Sequence, residues 1–389
     1  MSKIDDLIKQ YCPNGVKYKE LSDVCQIEKG QQLNKNSLKD KDKFPVMNGG
    51  ISPSGYWSEY NTDCGTIIIS QGGASAGYTQ FMTVKFWAGA HCYTVKPKGI
   101  FNKYLYYFIK NNQNLLMGNQ YGAGIPALNK KTLETLRIPV PPLPVQEEIV
   151  KMLDAFTALE AELEAELEAR KRQYEYYRNK LLSFDENTTG GRIKFMQLNE
   201  VCKIYDGTHT TPKYTNTGIK FVSVENINDL FSTKKYISNN DYLKYKVHPK
   251  KGDVFMTRIG SIGNCAIVDG EEHLAYYVSL ALIRPNKNII LSKYVKYIIE
   301  SSTGKRELAK RTLINAVPIK INLGEIGKIT IPVPPLEEQE RIVAILDKFD
   351  SLVNDISEGL PAELNARKQQ YEYYRNKLLT FTPLASEMN

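Results

Sequence analysis

A fifteen-residue segment occurs twice in this chain, and it constrains the possible folds more than any other feature. The copies RKRQYEYYRNKLLSF, ending at Phe184, and RKQQYEYYRNKLLTF, ending at Phe381, are identical at 13 of 15 positions. Each copy closes a longer shared block that begins with the hexapeptide IPVPPL, at Ile138 and at Ile331. The stretches that precede the two blocks differ from each other. The sequence therefore predicts an internal duplication in which two similar frames hold two different inserts.

The duplication divides the chain into four segments. Residues 1–137 and 185–330 contain the inserts, and residues 138–184 and 331–389 contain the shared blocks. Each insert has short β-branched or apolar runs marked by glycine, such as CGTIIISQ and GDVFMTRIG, and a later helical pattern, FNKYLYYFIKN or KYVKYIIES. We therefore expect both inserts to be versions of one small α/β module.

The shared blocks predict a pair of long helices. Consecutive prolines in IPVPPL lack backbone donors and favour extended backbone, so each block begins with a stiff Pro-rich segment. A narrow apolar stripe on a helix about 57 Å long needs a second helix to cover it. The duplicate is the expected partner, packed antiparallel. The stripe of the first copy consists of Ile149, Leu153, Phe156, Leu159, Leu163, Leu167, Tyr174, Tyr177 and Leu181.

A four-residue repeat occupies the middle of each predicted helix. The first copy has LEAE, LEAE and LEAR from Leu159 to Arg170, and the second has LVND, ISEG, LPAE and LNAR from Leu352 to Arg367. The second copy is thus one unit longer. Glycine favours a helix end and proline favours the first turn of the next helix, so Gly359 and Pro361 should interrupt the second helix. We expect one continuous and one broken helix.

Composition limits the class of protein. A chain of 389 residues with 42% hydrophobic content can form two or three domains with cores of their own, and a net charge of +8 suits a polyanionic partner. The beginning MSKIDDLIKQ is unlike a signal peptide, and no apolar run approaches the roughly 18 residues that span a bilayer, so we expect a soluble, cytoplasmic protein. Six cysteines without a C-x-x-C pair and four histidines without ligand spacing predict reduced thiols and no metal site.

The paired IPVPPL segments, the paired QYEYYRNKLL helix ends and the tetrad repeat resemble the specificity subunit of type I restriction-modification systems, over essentially the whole chain. The resemblance implies an α+β fold with a pseudo-twofold internal repeat. Two small α/β target-recognition domains would be separated by two long antiparallel helices that form a coiled coil, and each domain would read one half of a split, asymmetric site in double-stranded DNA.

The resemblance also implies the partners. Such subunits recruit two copies of a modification subunit, which uses S-adenosylmethionine to methylate adenine, and restriction subunits in the full complex. S-adenosylmethionine and ATP are therefore expected on the partner subunits only, with no cofactor on this chain and no membrane contact.

Two groups of residues are candidates for DNA contact. Glycine lets backbone approach a phosphate or a base edge closely, although a structural turn explains the glycine-rich segment 70–79 almost as well. Arginine is the residue best suited to reading guanine, whereas a solvated strand end is the alternative for Arg258. The predicted DNA-binding residues are Ser70, Gln71, Gly72, Gly73, Ser75 and Tyr78 in the first insert, and Thr208, His209, Thr211, Lys213, Tyr214, Arg258, Ser261 and Asn264 in the second.

The ends of the two predicted helices carry aromatic residues on more than one face. One face can serve the contact between the helices, and the other is left for a partner, because Tyr and Arg are typical anchors of protein interfaces. A wide core stripe is the alternative. The predicted subunit-interface residues are Tyr174, Tyr176, Tyr177 and Arg178, mirrored by Tyr371, Tyr373, Tyr374 and Arg375.

The motifs of an enzyme are missing from the sequence. The PP pairs are not preceded by Asn or Asp and not followed by an aromatic residue, as in an amino-methyltransferase motif, and no glycine-rich turn marks a cofactor site. We therefore expect no catalytic activity. Two other binding classes stay open: the recognition subunit of a type II system that cuts on both sides of its site, and a structural coiled-coil adaptor. A DNA gel shift with the modification subunit present distinguishes the adaptor, and the position of cleavage distinguishes the type II system.

Removing one tetrad, Leu163–Glu166, should shorten the unspecified gap between the two half-sites by one base pair, with two base pairs as the alternative, and leave both half-site sequences unchanged. Four residues turn a helix by roughly 400°, so the apolar stripe stays in phase while the helix loses about 6 Å. One base pair turns the duplex by about 35° and advances it by about 3.4 Å. The resemblance implies the same rule, because relatives that differ in such tetrads differ in gap length. Methylation mapping of the deletion variant measures the gap, and an active complex with the original gap would contradict the prediction.

Overall fold

The structure, a computed structural model, describes residues 3–118, 126–184, 193–355 and 357–384. Its contacts divide the chain into two compact units. The first unit comprises Met1–Leu163 with Leu364–Asn389, and the second comprises Glu164–Glu363. Each unit thus combines one insert with part of both shared blocks.

The first unit is built mainly from the first insert. The last helix of this series continues from the first unit into the second. The elements in chain order are α1 (Lys3–Tyr11), β1 (Tyr18–Glu20), α2 (Leu21–Val24), β2 (Cys25–Lys29), β3 (Phe44–Met47), β4 (Gly55–Trp57), β5 (Thr66–Ser70), β6 (Thr79–Met82), β7 (Trp87–Ala88), β8 (Cys92–Pro97), α3 (Asn102–Asn111), α4 (Gln113–Gly118), α5 (Lys130–Glu134), β9 (Arg137–Pro139) and α6 (Leu143–Leu181).

The second unit repeats this series. Its final helix, α13, begins in the second unit and continues in the first. The elements are β10 (Lys194–Gln197), α7 (Leu198–Val201), β11 (Cys202–Asp206), β12 (Tyr214–Thr215), β13 (Ile219–Val222), β14 (Tyr236–Ile237), α8 (Asn239–Tyr242), β15 (Val254–Thr257), β16 (Cys265–Ile267), β17 (Leu274–Tyr276), β18 (Leu280–Pro285), α9 (Ser292–Glu300), α10 (Ser302–Arg311), α11 (Leu323–Gly327), β19 (Thr330–Val333), α12 (Leu336–Asn354) and α13 (Leu360–Leu378).

The two inserts share one sheet topology although their sequences differ. The main sheet has the strand order β2-β8-β5-β6 in the first unit and β11-β18-β15-β16 in the second. A smaller sheet in each unit contains one parallel pair, β3 with β7 and β13 with β17. A two-stranded sheet, β1-β9 or β10-β19, completes each set. The prediction that both inserts are versions of one α/β module is confirmed.

The core of each module surrounds one fully buried strand. All five residues of β5 and all four residues of β15 are buried, which explains why these strands are continuous apolar or β-branched runs without alternation. Each of them pairs antiparallel with a long neighbour, β8 or β18. The helices α3 and α9 add buried tyrosines to this core, Tyr104 and Tyr294.

The Pro-rich segments are extended, as predicted. In the first shared block, β9 pairs with β1 so that Pro139 lies opposite Tyr18, and in the second, β19 pairs with β10. The buried hydroxyl groups of Tyr104 and Tyr294 donate hydrogen bonds of 3.0 Å to the carbonyl oxygens of Pro139 and Pro332. Proline cannot donate a backbone hydrogen bond, but its carbonyl oxygen still accepts one, so these segments fit between a strand and a helix.

A buried glutamine joins each Pro-rich segment to its module. The Gln146 side chain accepts a hydrogen bond of 2.8 Å from the backbone N–H of Phe101 and donates one of 2.7 Å to the Pro141 carbonyl oxygen. Gln339 makes the equivalent bonds, 2.9 Å from the N–H of Leu291 and 2.8 Å to the Pro334 oxygen. The duplication therefore extends to individual hydrogen bonds.

A second junction lies about two helical turns further along. In the first unit Asp154 accepts hydrogen bonds of 2.6 Å from Lys103 and 2.6 Å from the Tyr107 hydroxyl. In the second unit Asp347 accepts the corresponding bonds from Lys293 and Tyr297. Burial, together with the bond to the carboxylate, raises the pKa of Tyr107, so its hydroxyl group remains a donor at neutral pH.

One shared helix is continuous and the other is broken, as predicted. The helix α6 runs for 39 residues, whereas α12 and α13 are separate helices of 19 residues each. At the break, a Cβ atom on Gly359 would lie 2.4 Å from the Ser351 carbonyl oxygen, so only glycine fits there. Pro361 lies in the first turn of α13, where its missing N–H costs no helical hydrogen bond.

The two shared blocks exchange aromatic contacts. Within the first unit, the Phe156 ring on α6 stacks 5.5 Å from Tyr374 on α13, and Lys368 lies 3.6 Å from Glu160. Advancing along α6 thus means going backward along α13, which confirms antiparallel packing there. Within the second unit, Phe349 on α12 stacks on Tyr177 of α6 at 5.5 Å.

Changing Gln146 to Leu should lower the free energy of unfolding by about 2 kcal/mol, because a buried N–H and a buried carbonyl oxygen lose their partner. Gln339→Leu should cost a similar amount. Both changes can be measured by urea unfolding of the full chain, with Gln26→Leu as the control, since Gln26 is exposed and its side chain donates to the half-buried Glu28. Equal stability of Gln146→Leu and the control would contradict the assignment.

Candidate nucleic-acid interface and helix-end aromatic surface

Two predicted DNA-binding segments meet at one end of the main sheet in the second unit. These are the His209 loop (residues 207–213), which follows β11, and the Arg258 loop (residues 258–264), which follows β15. Both strands run antiparallel to β18, which lies between them, so their carboxyl ends are at the same edge. The sequence placed candidates on both loops, and the topology brings them together.

Asp206 links these two loops. Its Oδ1 atom accepts a hydrogen bond of 3.1 Å from the Arg258 guanidinium, and its Oδ2 atom lies 2.9 Å from the His209 ring nitrogen Nε2. The backbone carbonyl oxygen of Asp206 accepts a bond of 2.9 Å from the Tyr276 hydroxyl. Burial and the adjacent Asp206 carboxylate raise the pKa of Tyr276, so the phenol stays protonated and can donate.

Arg258 is more buried than a solvated strand end would be. Its exposure is 7%, and its Nε atom is buried without a hydrogen-bond partner. A guanidinium group in this position is paired with Asp206 and shielded from solvent, so contact with a base requires the side chain to move. DNA contact by Arg258 therefore stays a prediction, and it requires the guanidinium group to separate from Asp206.

The other candidates of the second unit divide into anchored and exposed residues. Thr208 is half-buried, and its N–H donates a bond of 3.1 Å to the Tyr276 carbonyl oxygen. Polar, solvent-facing side chains at the end of a sheet can reach base edges or phosphates. The exposed candidates are His209, Thr211, Lys213, Tyr214, Ser261 and Asn264.

Exposed lysines lie at the same sheet edge, beside the predicted DNA-binding residues. A cavity of about 240 Å³ lies beside the His209 loop, and its lining includes Asp206, Lys244 and Lys246. Both lysines are exposed, and Lys244 donates a bond of 2.7 Å to Asp241. Lysine side chains around polar loops suit phosphate groups of a nucleic acid backbone.

Gln71 in the first unit occupies the position that corresponds to Arg258. The carbonyl oxygen of Gln71 accepts a bond of 2.7 Å from Leu128, and that of Arg258 accepts one of 3.0 Å from Ile321. Each residue directly follows the buried central strand of its main sheet. The Oε1 atom of Gln71 is also buried without a hydrogen-bond partner. The two predicted readers are therefore structural equivalents, which the sequence did not reveal.

The remaining candidates of the first unit build a tight turn. Gly73 has a positive φ of 81°, and its N–H donates a bond of 2.9 Å to the Pro126 carbonyl oxygen. Ser70 is buried, and the Ser75 hydroxyl donates a bond of 2.6 Å to the Gly49 carbonyl oxygen. Gly72 forms a β-bridge with Ala127, and the Tyr78 ring lies 4.4 Å from the Lys110 amino group. These contacts explain the turn, and DNA contact by this segment stays a prediction.

Two residues that the sequence reasoning missed lie at equivalent places. Lys29 ends β2 as Asp206 ends β11, four residues after Cys25 and Cys202. The glycine that follows each of them lies against a neighbouring strand, because a Cβ atom on Gly30 would be 2.2 Å from the Gly89 oxygen. The short echo between ELSDVCQI and QLNEVCKI was the signal that could have aligned these positions. One unit carries a cation where the other carries an anion.

The helix-end tyrosines contribute mainly to packing inside their own units. Tyr174 is buried, and its hydroxyl group donates a bond of 3.2 Å to Asp350. Tyr371 lies 6.2 Å from Phe156, and the Arg375 Nε atom donates a bond of 2.8 Å to Asn111. These contacts match the wide core stripe that was the alternative interpretation.

Two tyrosines remain largely exposed. Tyr176 is 59% exposed and Tyr373 is 61% exposed, each edge-on to the next tyrosine, Tyr177 or Tyr374. Arg178 lies 5.2 Å from the Tyr174 ring and has a buried Nε atom without a hydrogen-bond partner. Contact with a partner subunit stays a prediction, and the exposed side chains of Tyr176 and Tyr373 are available for it.

The described residues show neither a metal cluster nor a membrane span. No group of three or more His, Cys, Asp or Glu side chains among them is arranged to hold a metal ion. Over the same residues, no helix combines the length and the apolar character needed to cross a bilayer.

Comparison with known proteins identifies the class. The family model for the type I restriction modification DNA specificity domain matches residues 13–169 and 192–366. The chain therefore belongs to the family of type I restriction-modification specificity subunits, and the resemblance seen in the sequence is confirmed.

Individual relatives agree with this assignment. A putative type I restriction enzyme specificity subunit of Haemophilus influenzae is 33% identical over 94% of this chain and 96% of its own length. The EcoR124I/EcoR124II specificity subunit of Escherichia coli is 34% identical over 72% of this chain and 70% of its own length. The crystal structure of an S subunit from M. genitalium matches with a TM-score of 0.60 at 18% identity, covering 94% of this chain and 96% of that one, which supports the fold.

Changing Arg258 to Ala should relax or abolish recognition of the second half-site only, and Gln71→Ala should do the same for the first. Loss of one bidentate base contact costs about 1–3 kcal/mol, or roughly 5- to 150-fold in discrimination. The readout is methylation mapping of the assembled complex, with unfolding midpoints to verify folding and exposed Lys203→Ala as the control. An unchanged motif in a folded Arg258→Ala complex would remove Arg258 from the reading residues.

Proposed function

We propose that this chain is the DNA-recognition subunit of a type I restriction-modification complex and that each unit reads one part of a bipartite, asymmetric site. The observation that carries the proposal is that the two units share one sheet topology but present different side chains at the same sheet edge. Lys29 and Gln71 occupy the positions of Asp206 and Arg258 at the same end of the same sheet. Sheets of one topology present their loops in the same way, whereas different side chains select different bases.

The side-chain chemistry of Arg258 and Gln71 supports different target bases. Arginine suits the O6 and N7 acceptors of guanine, whereas glutamine suits the N6 and N7 edge of adenine. Asp206 competes with guanine for Arg258. Lys29, at the position of Asp206 in the first unit, is not expected to compete with adenine for Gln71. The two half-sites should therefore differ in sequence, and the whole site should not be an inverted repeat.

Two modification subunits are the proposed partners, with restriction subunits joining in the full complex. The duplicated helix ends offer two equivalent exposed tyrosines, Tyr176 and Tyr373, one for each copy of a partner. A solved structure with a TM-score of 0.61 at 17% identity was described in a study of complex assembly in the type I system, and it covers 94% of this chain and 98% of that one. We extend that assembly to this chain.

The subunit itself is proposed to be non-catalytic, with S-adenosylmethionine and ATP bound by its partners. The sequence carries neither the amino-methyltransferase motif nor a glycine-rich nucleotide turn. The relatives of this chain are named as specificity subunits. The two long helices would set the length of the gap between the half-sites.

Methylation mapping tests the proposal. The chain is assembled with its modification subunits, and methylated adenines are located in DNA by single-molecule sequencing. The expected result is two short, different sequences separated by a gap of fixed length and unspecified bases. A single uninterrupted site, or methyl transfer by the purified chain without partners, would contradict it.

DNA binding by this complex should weaken steeply with salt. Each neutralised phosphate releases counterions, so the logarithm of the binding constant should fall with the logarithm of salt concentration with a slope of about −0.9 for each phosphate contacted. Changing both Lys244 and Lys246 to Ala should make the slope shallower by about one or two units without changing the methylated motif. A slope near zero in the wild-type complex would show that phosphate contacts do not drive binding.

A further inference from the structure

The second unit has an apolar projection, residues 313–319, directly after α10. Four of its large aliphatic side chains are exposed: Leu313 by 45%, Ile314 by 71%, Val317 by 100% and Ile319 by 40%. A single exposed aliphatic residue is ordinary, but four within seven residues form a patch that calls for a partner.

Backbone hydrogen bonds hold this projection in shape. The N–H of Leu313 donates a bond of 2.8 Å to the Lys320 carbonyl oxygen, which closes the loop at its base. The N–H of Ala316 donates a bond of 3.2 Å to the Leu313 carbonyl oxygen within the loop. The aliphatic side chains are thus presented by an ordered turn.

The apolar projection is attached to the Arg258 loop. The N–H of Gly260 donates a bond of 2.8 Å to the Ile319 carbonyl oxygen, and Ile259 forms a β-bridge with Lys320. On the next residue, the N–H of Ile321 donates a bond of 3.0 Å to the Arg258 carbonyl oxygen. The projection therefore lies beside the loop that carries the exposed candidates Ser261 and Asn264.

The charges around the projection indicate what it contacts. From Leu308 to Lys320 the chain contains three basic residues and no acidic one, but Lys310 and Arg311 are paired with Glu307, which directly precedes this stretch. Lys310 and Lys320 are exposed on either side of the aliphatic residues. An apolar tip with the exposed Lys320 at its base complements a groove of the duplex, where phosphates line the rims and the bases offer apolar surface between them.

We propose that the apolar projection enters a groove of the DNA beside the Arg258 loop and contacts the apolar surface of the bases. This inference rests on the proposed function of the second unit in DNA recognition. Two features of DNA offer that surface: the 5-methyl group of thymine and the face of a base step that has been unstacked. Leucine, isoleucine and proline are residue types that wedge into base steps.

The test uses the full chain assembled with its modification subunits. The double variant Ile314→Ser with Val317→Ser removes the most exposed side chains and should not disturb folding. Its matched control is Ile51→Ser with Val84→Ser, an isoleucine and a valine of the first unit that are 58% and 52% exposed. The double variant should bind the specific site about tenfold more weakly, and the control should change binding less than twofold.

Two modified duplexes identify the surface contacted. Replacing thymine by deoxyuridine within and beside the second half-site should weaken wild-type binding, but not binding by the double variant, if methyl groups are contacted. A 2-aminopurine at the same positions should brighten on binding of the wild-type complex alone if a step is unstacked. Either signature supports the proposal, and weaker binding with neither signature overturns it.

Further outcomes separate this inference from the function on which it rests. Equal affinity of the double variant and the wild type overturns the inference alone. Loss of assembly with the modification subunits, measured by light scattering, also overturns it, because the projection would then dock a protein. If the wild-type complex itself shows no preference for any DNA sequence, the proposed function fails.

Discussion

In each unit, one phenylalanine packs on two tyrosines of the other shared block, and both units depend on this contact. Phe156 of the first shared block stacks on Tyr374 of the second, and Phe349 of the second stacks on Tyr177 of the first. Each aromatic pair contributes about 0.5–1.5 kcal/mol beyond its apolar burial. Each unit is therefore completed by the helix end of the other block, which explains why the segment QYEYYRNKLL occurs in both.

Polar contacts that recur in both units join each module to the long helix that follows it. Gln146 and Gln339 satisfy buried backbone groups at the Pro-rich segments, while Asp154 and Asp347 each hold a lysine and a tyrosine of the adjacent module. Buried polar groups such as the two glutamines select one arrangement, because any other arrangement leaves groups unpaired. The loops at the sheet edge are consequently carried by a rigid support, as a reading surface requires.

In the proposed function, specificity comes from the side chains that each unit presents at this edge. In the second unit, Asp206 couples Arg258 to His209, so the predicted reading residue is paired with its neighbour in the structure. In the first unit, Gln71 has no acidic neighbour at the equivalent position, which Lys29 occupies. The apolar projection adds a third kind of chemistry beside the Arg258 loop. Two units with one fold thus present different side chains at the same sheet edge.

The sequence by itself determined the duplication, the extended Pro-rich segments, the break at Gly359 and the family, because periodicity, proline and glycine act on the local backbone. It also named Gln71 and Arg258 as candidates. Only the tertiary structure decided that they are equivalent, that Arg258 is buried against Asp206, and that Tyr174 is buried whereas Tyr176 and Tyr373 stay exposed. These properties depend on strand neighbours distant in the sequence, as with Asp206 and Arg258, 52 positions apart, and on which helix face meets its partner.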